Sequence, residues 1–166
     1  MPRVVIVSNR LPVSVKKVDG KLEFLPGPGG LATGLSSYAK DGSNLWIGWP
    51  GIASDELDEK ERKEVTQELK KHHCSPVFLT QKQLDGFYNG YSNSVLWPLF
   101  HHMKVEAGDT AANWHAYKEV NRLYAELCNE EGELNYAKPL LRLMKNKRFF
   151  AYDMNFYAQV LAEYAS

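Results

Sequence analysis

The chain has 166 residues, enough for one domain of ordinary size with its own core. Apolar residues make up 44% and charged residues 24%, the balance of a soluble globular protein. Lys plus Arg total 20 and Asp plus Glu total 20, so the formal charge is zero; this argues against a nucleic-acid binder, whose footprint is strongly basic, while leaving room for one or two cations at a phosphate.

The amino-terminal run Arg3-Val4-Val5-Ile6-Val7 is β-branched and reads as a buried strand opening an α/β domain. It is followed by Ser8-Asn9-Arg10. Ligands of such sheets bind outside the carboxyl ends of the strands, so Arg10 faces the expected crevice, and its planar fork of donors suits a phosphate or carboxylate. Pairing with a neighbouring carboxylate is the competing reading. Val13–Val18 and Lys21–Leu25 flank Asp19-Gly20, a pair that tolerates positive φ and signals a hairpin. Gly27-Pro28-Gly29-Gly30 then precedes Leu31, Leu35 and Tyr38, spaced for a helix to about Lys40. This loop follows a hairpin rather than the first strand, which disfavours a dinucleotide fingerprint. Bare backbone at a helix start, open to an anion, is the better reading, with a purely geometric turn as its rival.

Leu45-Trp46-Ile47 reads as the next strand, with Trp46 pointing inward and Gly48-Trp49-Pro50-Gly51 ending it. Trp49, at the carboxyl end, can stack on a sugar face and donate its indole N–H to a hydroxyl; buried packing is the alternative. Ser54 is expected to cap a surface helix running through the acidic 55–59 segment to Lys71. Ser75–Leu79 reads as a third strand and Thr80 as the cap of a further helix, broken at Phe87-Tyr88-Asn89-Gly90 and resumed from Tyr91 to His101. The polar groups from Phe87 to Asn93 suit a polyhydroxylated ligand, with helix capping by Ser92 and Asn93 in competition. Trp114, Tyr117, Val120, Leu123 and Tyr124 repeat at helical spacing, which predicts a helix from Ala111 to about Glu130. A break near 129–133 leads to two amphipathic helices carrying Leu140–Met144 and Phe156–Tyr164.

Cys74 and Cys128 have no paired spacing, so neither a disulfide framework nor a zinc site is suggested. The pairs His72-His73 and His101-His102 are adjacent and point in different directions, without the carboxylate–histidine spacing of a metal centre. P-loop, nucleophile-elbow and cysteine–histidine signatures are absent. No signal peptide or membrane span is read at the amino terminus, and the expectation is a reduced, cytoplasmic protein with no nucleic-acid or membrane partner.

Taken in order, Ser8-Asn9-Arg10-Leu11-Pro12, the 29–35 glycine segment, Trp46-Ile47-Gly48-Trp49 and the 89–101 run ending Leu96-Trp97-Pro98-Leu99-Phe100-His101 resemble the trehalose-6-phosphate synthase family. The likeness continues through Trp114, Tyr117, Val120 and Asn121. The resemblance implies a GT-B fold, two Rossmann-like domains across a cleft. It further implies transfer of glucose from UDP-glucose to glucose 6-phosphate, with retention and without a metal or other cofactor. On this resemblance Arg10 would hold the acceptor phosphate, and Trp49, Tyr88 and Trp97 would line the glucose 6-phosphate pocket. Gly29 and Gly30 would let backbone approach the donor sugar and diphosphate.

The resemblance stops after Asn121. The His-Asp-Tyr-His type segment of the family is not found, and Asp153 is no substitute. The second domain, whose cations hold the UDP diphosphate, has no counterpart here. Retaining transfer needs the departing diphosphate stabilised, so no catalytic residue is assigned and the chain alone is expected to be inactive. The expectation is an incomplete GT-B amino-terminal lobe: an acceptor-side part over 1–128, mostly parallel sheet with a hairpin, and a divergent helical tail over 129–166 in the same compact unit. Two functions are left open. One is a truncated synthase that uses UDP-glucose only when a donor domain is supplied; the other is a non-catalytic glucose 6-phosphate module docking on a full-length synthase subunit.

Overall fold

The computed structural model describes residues 5–27, 45–105 and 110–130. The expected helix over 31–40, Gly29 and Gly30, and the tail beyond residue 130 lie outside them. Two compact units divide the chain, Met1–Val120 and Asn121–Ser166.

In the first unit, β1 (Val5–Arg10), β4 (Leu45–Trp49) and β5 (Cys74–Pro76) form a parallel sheet in the order β1-β4-β5. A central parallel strand is covered on both faces, and Leu45, Trp46 and Ile47 are all buried accordingly. β4 runs two residues further than its glycine content suggests, through Gly48 to Trp49, because parallel pairing on both sides satisfies its backbone. β5 is shorter than expected and ends at Pro76, with one further bond from Val77 N–H to Gly48 O at 2.8 Å.

β2 (Val13–Val18) and β3 (Lys21–Pro26) form the hairpin, in register from Val18↔Lys21 to Val13↔Pro26. Asp19 and Gly20 have φ of 49° and 74°, the doubly left-handed turn that suits the twist of two antiparallel strands. The hairpin is hooked to the end of β4 by bonds from Leu11 N–H to Trp49 O (2.9 Å) and from Val15 N–H to Pro50 O (2.7 Å). Gly51, at φ 95°, completes that corner; an added Cβ would lie 2.5 Å from Ser14 Oγ.

The surface helix α1 spans Glu59–Lys71, and its cap is Asp58 rather than Ser54. Ser54–Glu56 instead forms a single tight turn, because Ser54 is buried and its N–H goes to Leu79 O at 2.8 Å. Asp58 Oδ1 accepts from Glu61 N–H (2.7 Å), and Glu61 returns the bond to Asp58 N–H (2.9 Å), a reciprocal cap. The Glu61 carboxylate also meets Lys17 Nζ of the hairpin at 2.7 Å. Val65 and Leu69, fully buried on the inner face of α1, pack with Leu11, Val15, Trp46, Ile52, Leu57 and Cys74 as the core. Burial pushes the Cys74 thiol up to about 12, so it stays protonated and unreactive.

After β5, α2 (Gln81–Leu84) starts at Thr80, which caps it with Gln83 as expected from the sequence. The break expected at Phe87–Gly90 does not occur. Helical winding continues through a wide segment, Asp85–Leu96, with i to i+5 bonding, and then α3 (Trp97–Phe100). α4 runs from Thr110 to Glu130, close to the expected span. Gly86 and Gly90 let the wide segment lie directly on α4. A Cβ at Gly86 would be 2.6 Å from Ala116 Cβ, and one at Gly90 would be 2.6 Å from Asn113 Nδ2.

The histidine pairs end helices. His73 and His102 both take φ of 55°, the left-handed residue that follows a helix. At α3, His102 N–H bonds Leu99 O (3.2 Å) and Met103 N–H bonds Pro98 O (2.8 Å), which satisfies the last carbonyls. In the second unit, α4 carries an Arg122–Glu126 ion pair and buries Tyr124, Ala125 and Cys128. Among the described residues no helix is long and apolar enough to cross a membrane.

Helix propensity favours Ala over Gly by up to about 1 kcal/mol, but overpacking costs about 1–3 kcal/mol. Because the Ala116 methyl has no rotamer to escape into, Gly86→Ala is expected to destabilise the chain, read as a lower urea midpoint, and Ala116→Gly in the same background to restore part of the loss. An increased midpoint in Gly86→Ala would refute the close approach.

The hairpin-to-helix clasp has a pH signature. The Lys17 hydrogen bond, then the Asp58 N–H, hold the Glu61 carboxyl below the usual carboxylate range; the bond to Glu61 raises Lys17. The Glu61 contribution is therefore present above its unfolded value of about 4.3 and lost as pH falls through the depressed folded value. The Lys17 contribution is present below about 10.4 and lost as pH rises through its raised value. Glu61→Gln should lower the melting temperature at neutral pH, and the gap to the unmodified chain should close toward about pH 3. A gap independent of pH would contradict the clasp.

Candidate functional site

The site is built at the carboxyl ends of the parallel strands, where α/β sheets bind ligands. β1 and β4 run in simple register to Val7↔Ile47, but the next pair is Arg10↔Trp49. β1 therefore carries one extra residue at Ser8-Asn9, a β-bulge that re-aims the strand's last side chain. Gly48 makes room for it: a Cβ there would sit 2.9 Å from Ser8 O and 3.0 Å from the Arg10 carbonyl carbon.

The bulge lays Arg10 beside Trp49. The guanidinium carbon lies 4.6 Å from the centre of the indole, a cation–π contact that leaves the edge of the fork free for an anion. Among the described residues Arg10 has no carboxylate partner. Trp49 is half-buried, and its N–H is taken by Ile52 O at 2.9 Å. This corrects the expectation that the Trp49 N–H serves a ligand hydroxyl: the bond fixes the ring, and only its face is offered. Trp46 is inward-pointing, as expected, and its N–H goes to Ser8 Oγ at 2.7 Å.

Tyr88 and Trp97 belong to the helical run that leaves the same edge of the sheet after β5. Tyr88 is half-buried within the wide segment. Trp97 closes that segment, with its backbone N–H donating to Ser92 O, and is 50% exposed. Its indole stacks on His101 (centroids 4.1 Å apart), and His101 Nδ1 lies 2.7 Å from Trp97 O, so the ring is held while one face stays open.

The remaining polar groups of this run serve its own backbone. Ser92 donates to Phe87 O (2.9 Å) and Ser94 to Asn89 O (2.6 Å), each five residues back, and Asn89 Nδ2 reaches Asp85 Oδ1 at 3.3 Å. Internal bonding therefore outweighs the ligand role expected for Ser92 and Asn89. Wide i to i+5 winding is rare beyond one turn and concentrates at functional sites. Here the two serine hydroxyls and the packing on α4 sustain it. Tyr91 lies 4.8 Å from Tyr117 and 5.2 Å from Trp114, and Phe87 lies 5.6 Å from Tyr117. Burial pushes the Tyr91 phenol up, so it stays neutral.

The sequence reading missed the bulge, the fixed Trp49 N–H and the His101 stack. Only Gly86 and Gly90, spaced one turn apart, signalled the close approach to α4. Among the described residues no three His, Cys, Asp or Glu side chains gather as metal ligands. What the geometry brings together is Arg10 and Trp49, a cation over an aromatic ring; Tyr88 and Trp97 present their aromatic surface on a different element, the helical run after β5.

The sequence model of glycosyltransferase family 20 matches residues 2–135. An alpha,alpha-trehalose-phosphate synthase (UDP-forming) of Botryotinia fuckeliana is 46% identical over 126 residues, 75% of this chain and 24% of that protein. The Candida albicans enzyme of the same description is 42% identical over 125 residues, 74% of this chain and 26% of its own. A solved E. coli structure described as bound with UDP-2-fluoro glucose has a TM-score of 0.51 and 28% identity over 78% of this chain and 25% of that one. An alpha,alpha-trehalose 6-phosphate synthase from Burkholderia multivorans gives 0.51 and 26%, over 77% and 25%. The chain spans about a quarter of the length of the relatives it matches. The expected fold class, α/β with a parallel sheet of the GT-B kind, holds. With the family's sequence pattern running through most of its length, the chain belongs to glycosyltransferase family 20.

Proposed function

We propose that this chain carries the acceptor side of a trehalose-6-phosphate synthase: it holds glucose 6-phosphate so that a glucosyl group from UDP-glucose can be transferred to it. The observation that carries the reading is the Arg10 guanidinium on the face of Trp49, at the carboxyl ends of β1 and β4. An anion and a hexose are the two halves of a sugar phosphate, and these two side chains meet them side by side.

In this reading Arg10 binds the phosphate through charge-assisted hydrogen bonds, while Trp49, Tyr88 and Trp97 present aromatic surface to the sugar. The Arg10 side chain is exposed and always charged, so it recruits a dianion without a proton transfer. Gly29 and Gly30 are proposed to give backbone access to the donor diphosphate and sugar. Departure of the diphosphate calls for cations beyond those assigned to this chain, so we place the chemical step in an assembly in which the rest of the family's fold is present. The site is proposed to act in the cytoplasm.

The same Arg10–Trp49 pair would serve a second reading, a binding or regulatory module that senses glucose 6-phosphate and docks on a full-length synthase. UDP release from UDP-glucose plus glucose 6-phosphate, measured on the purified 166-residue chain, tests whether further cations are required; the same assay with a full-length synthase added tests the module, which predicts a changed rate where an unchanged one would reject it. We expect binding of glucose 6-phosphate without turnover; turnover by the chain alone would reject the module and the requirement for a further domain together.

Removing a charge-assisted hydrogen bond costs about 1.5–3 kcal/mol, or roughly 10- to 150-fold in affinity. Arg10→Ala is expected to weaken glucose 6-phosphate by that amount in calorimetry while leaving glucose unchanged. Arg10→Lys should fall between, keeping charge and losing the fork. Equal affinity of Arg10→Ala and the unmodified chain for glucose 6-phosphate would remove the phosphate role.

A further inference from the structure

We propose that Ser8 is the positioning residue for Arg10, acting as the staple of the β1 bulge and anchored in turn by the buried Trp46. The significance for ligand binding rests on the acceptor-site reading above; the positioning itself does not.

Side chains alternate along a strand with period two, so continuing the Val7↔Ile47 register without interruption would set Asn9 opposite Trp49 and turn Arg10 to the other face. One extra residue reverses that outcome. A bulge loses ladder bonds, and something must hold it in one conformation. Ser8 Oγ does so with both of its capacities. It accepts the indole N–H of Trp46 at 2.7 Å and donates to the main-chain carbonyl of Arg10 at 2.6 Å. Trp46 is 3% exposed and packed in the core, so the fixed end of this relay does not move.

On the other side, the platform is pinned independently, by the bond from the Trp49 N–H to Ile52 O at 2.9 Å. The Arg10 backbone is thus tied to the core through Ser8, and its guanidinium is laid on a ring that is itself tied down. A hydroxyl is what the place requires: it donates and accepts at once, where Ala does neither and Thr does both.

The test uses the whole 166-residue chain, isotopically labelled. The ring current of Trp49 should shift the Arg10 side-chain resonances upfield. Ser8→Ala and Trp46→Phe, the second removing the N–H but keeping a buried ring, should each abolish that shift; Ser8→Thr should retain it. In parallel, Ser8→Ala should weaken glucose 6-phosphate about tenfold, the scale of one lost hydrogen bond. Ser8→Ala combined with Arg10→Ala should bind no worse than Arg10→Ala alone, whereas a serine of merely structural importance would add its own loss.

An unshifted Arg10 spectrum in Ser8→Ala, or additive losses in the double variant, overturns the proposal. Should Ser8→Ala not fold, a retained shift in Trp46→Phe or a lost one in Ser8→Thr overturns it equally. If the unmodified chain fails to bind glucose 6-phosphate while the Arg10 shift still collapses in Ser8→Ala, the staple stands and the acceptor-site reading falls.

Discussion

A guanidinium over the face of an indole, 4.6 Å from its centre, is the contact around which this protein's first unit is arranged. Neither partner could be placed by its own strand alone. Arg10 reaches the ring because β1 gains a residue at Ser8-Asn9, and the gain is tolerated because Gly48 presents no Cβ to Ser8 O or to the Arg10 backbone. Trp49 keeps its tilt because Ile52 O holds its N–H. The β2–β3 hairpin is bonded to Trp49 O and Pro50 O, so the corner carrying the pair is closed from three sides. Arg10 remains exposed while it lies over the ring.

The second element of the site works by a different principle. The run from Gln81 to Phe100 is wound helically throughout, yet its middle is wide, and a wide helix is less stable per residue than an α-helix. Three supports offset that. Thr80 and Gln83 cap its start, Ser92 and Ser94 bond carbonyls five residues back, and aromatic rings of α4 pack on Phe87 and Tyr91. The glycines that looked like a break are the residues that let α4 approach. The surface left over, Tyr88 and Trp97, lies on an element whose winding is set by these supports rather than by the ligand.

Membership of glycosyltransferase family 20 agrees with this arrangement. An acceptor site and a donor site have to face each other for glycosyl transfer. The Arg10–Trp49 pair bears on one of the two, the acceptor side in the reading proposed above.

Much of this was legible in the residues alone. The β-branched run, the Asp19-Gly20 turn, the Thr80 cap and the periodic helix from 110 to 130 follow from local preferences, and local preferences act the same way in any context. The ordered motifs around Arg10, Trp49 and Trp97 likewise pointed to the family that the comparisons show. Tertiary structure decided which of several possible partners each polar group took. Ser54 lost its expected capping role because Leu79 O claimed its N–H, and Asp58 took over with Glu61. The Trp49 N–H was lost to Ile52, and a run of polar residues that looked aimed at a ligand turned out to bond its own carbonyls. A hydrogen-bonding group can be counted in a sequence, but which acceptor reaches it first is settled only when the chain has folded.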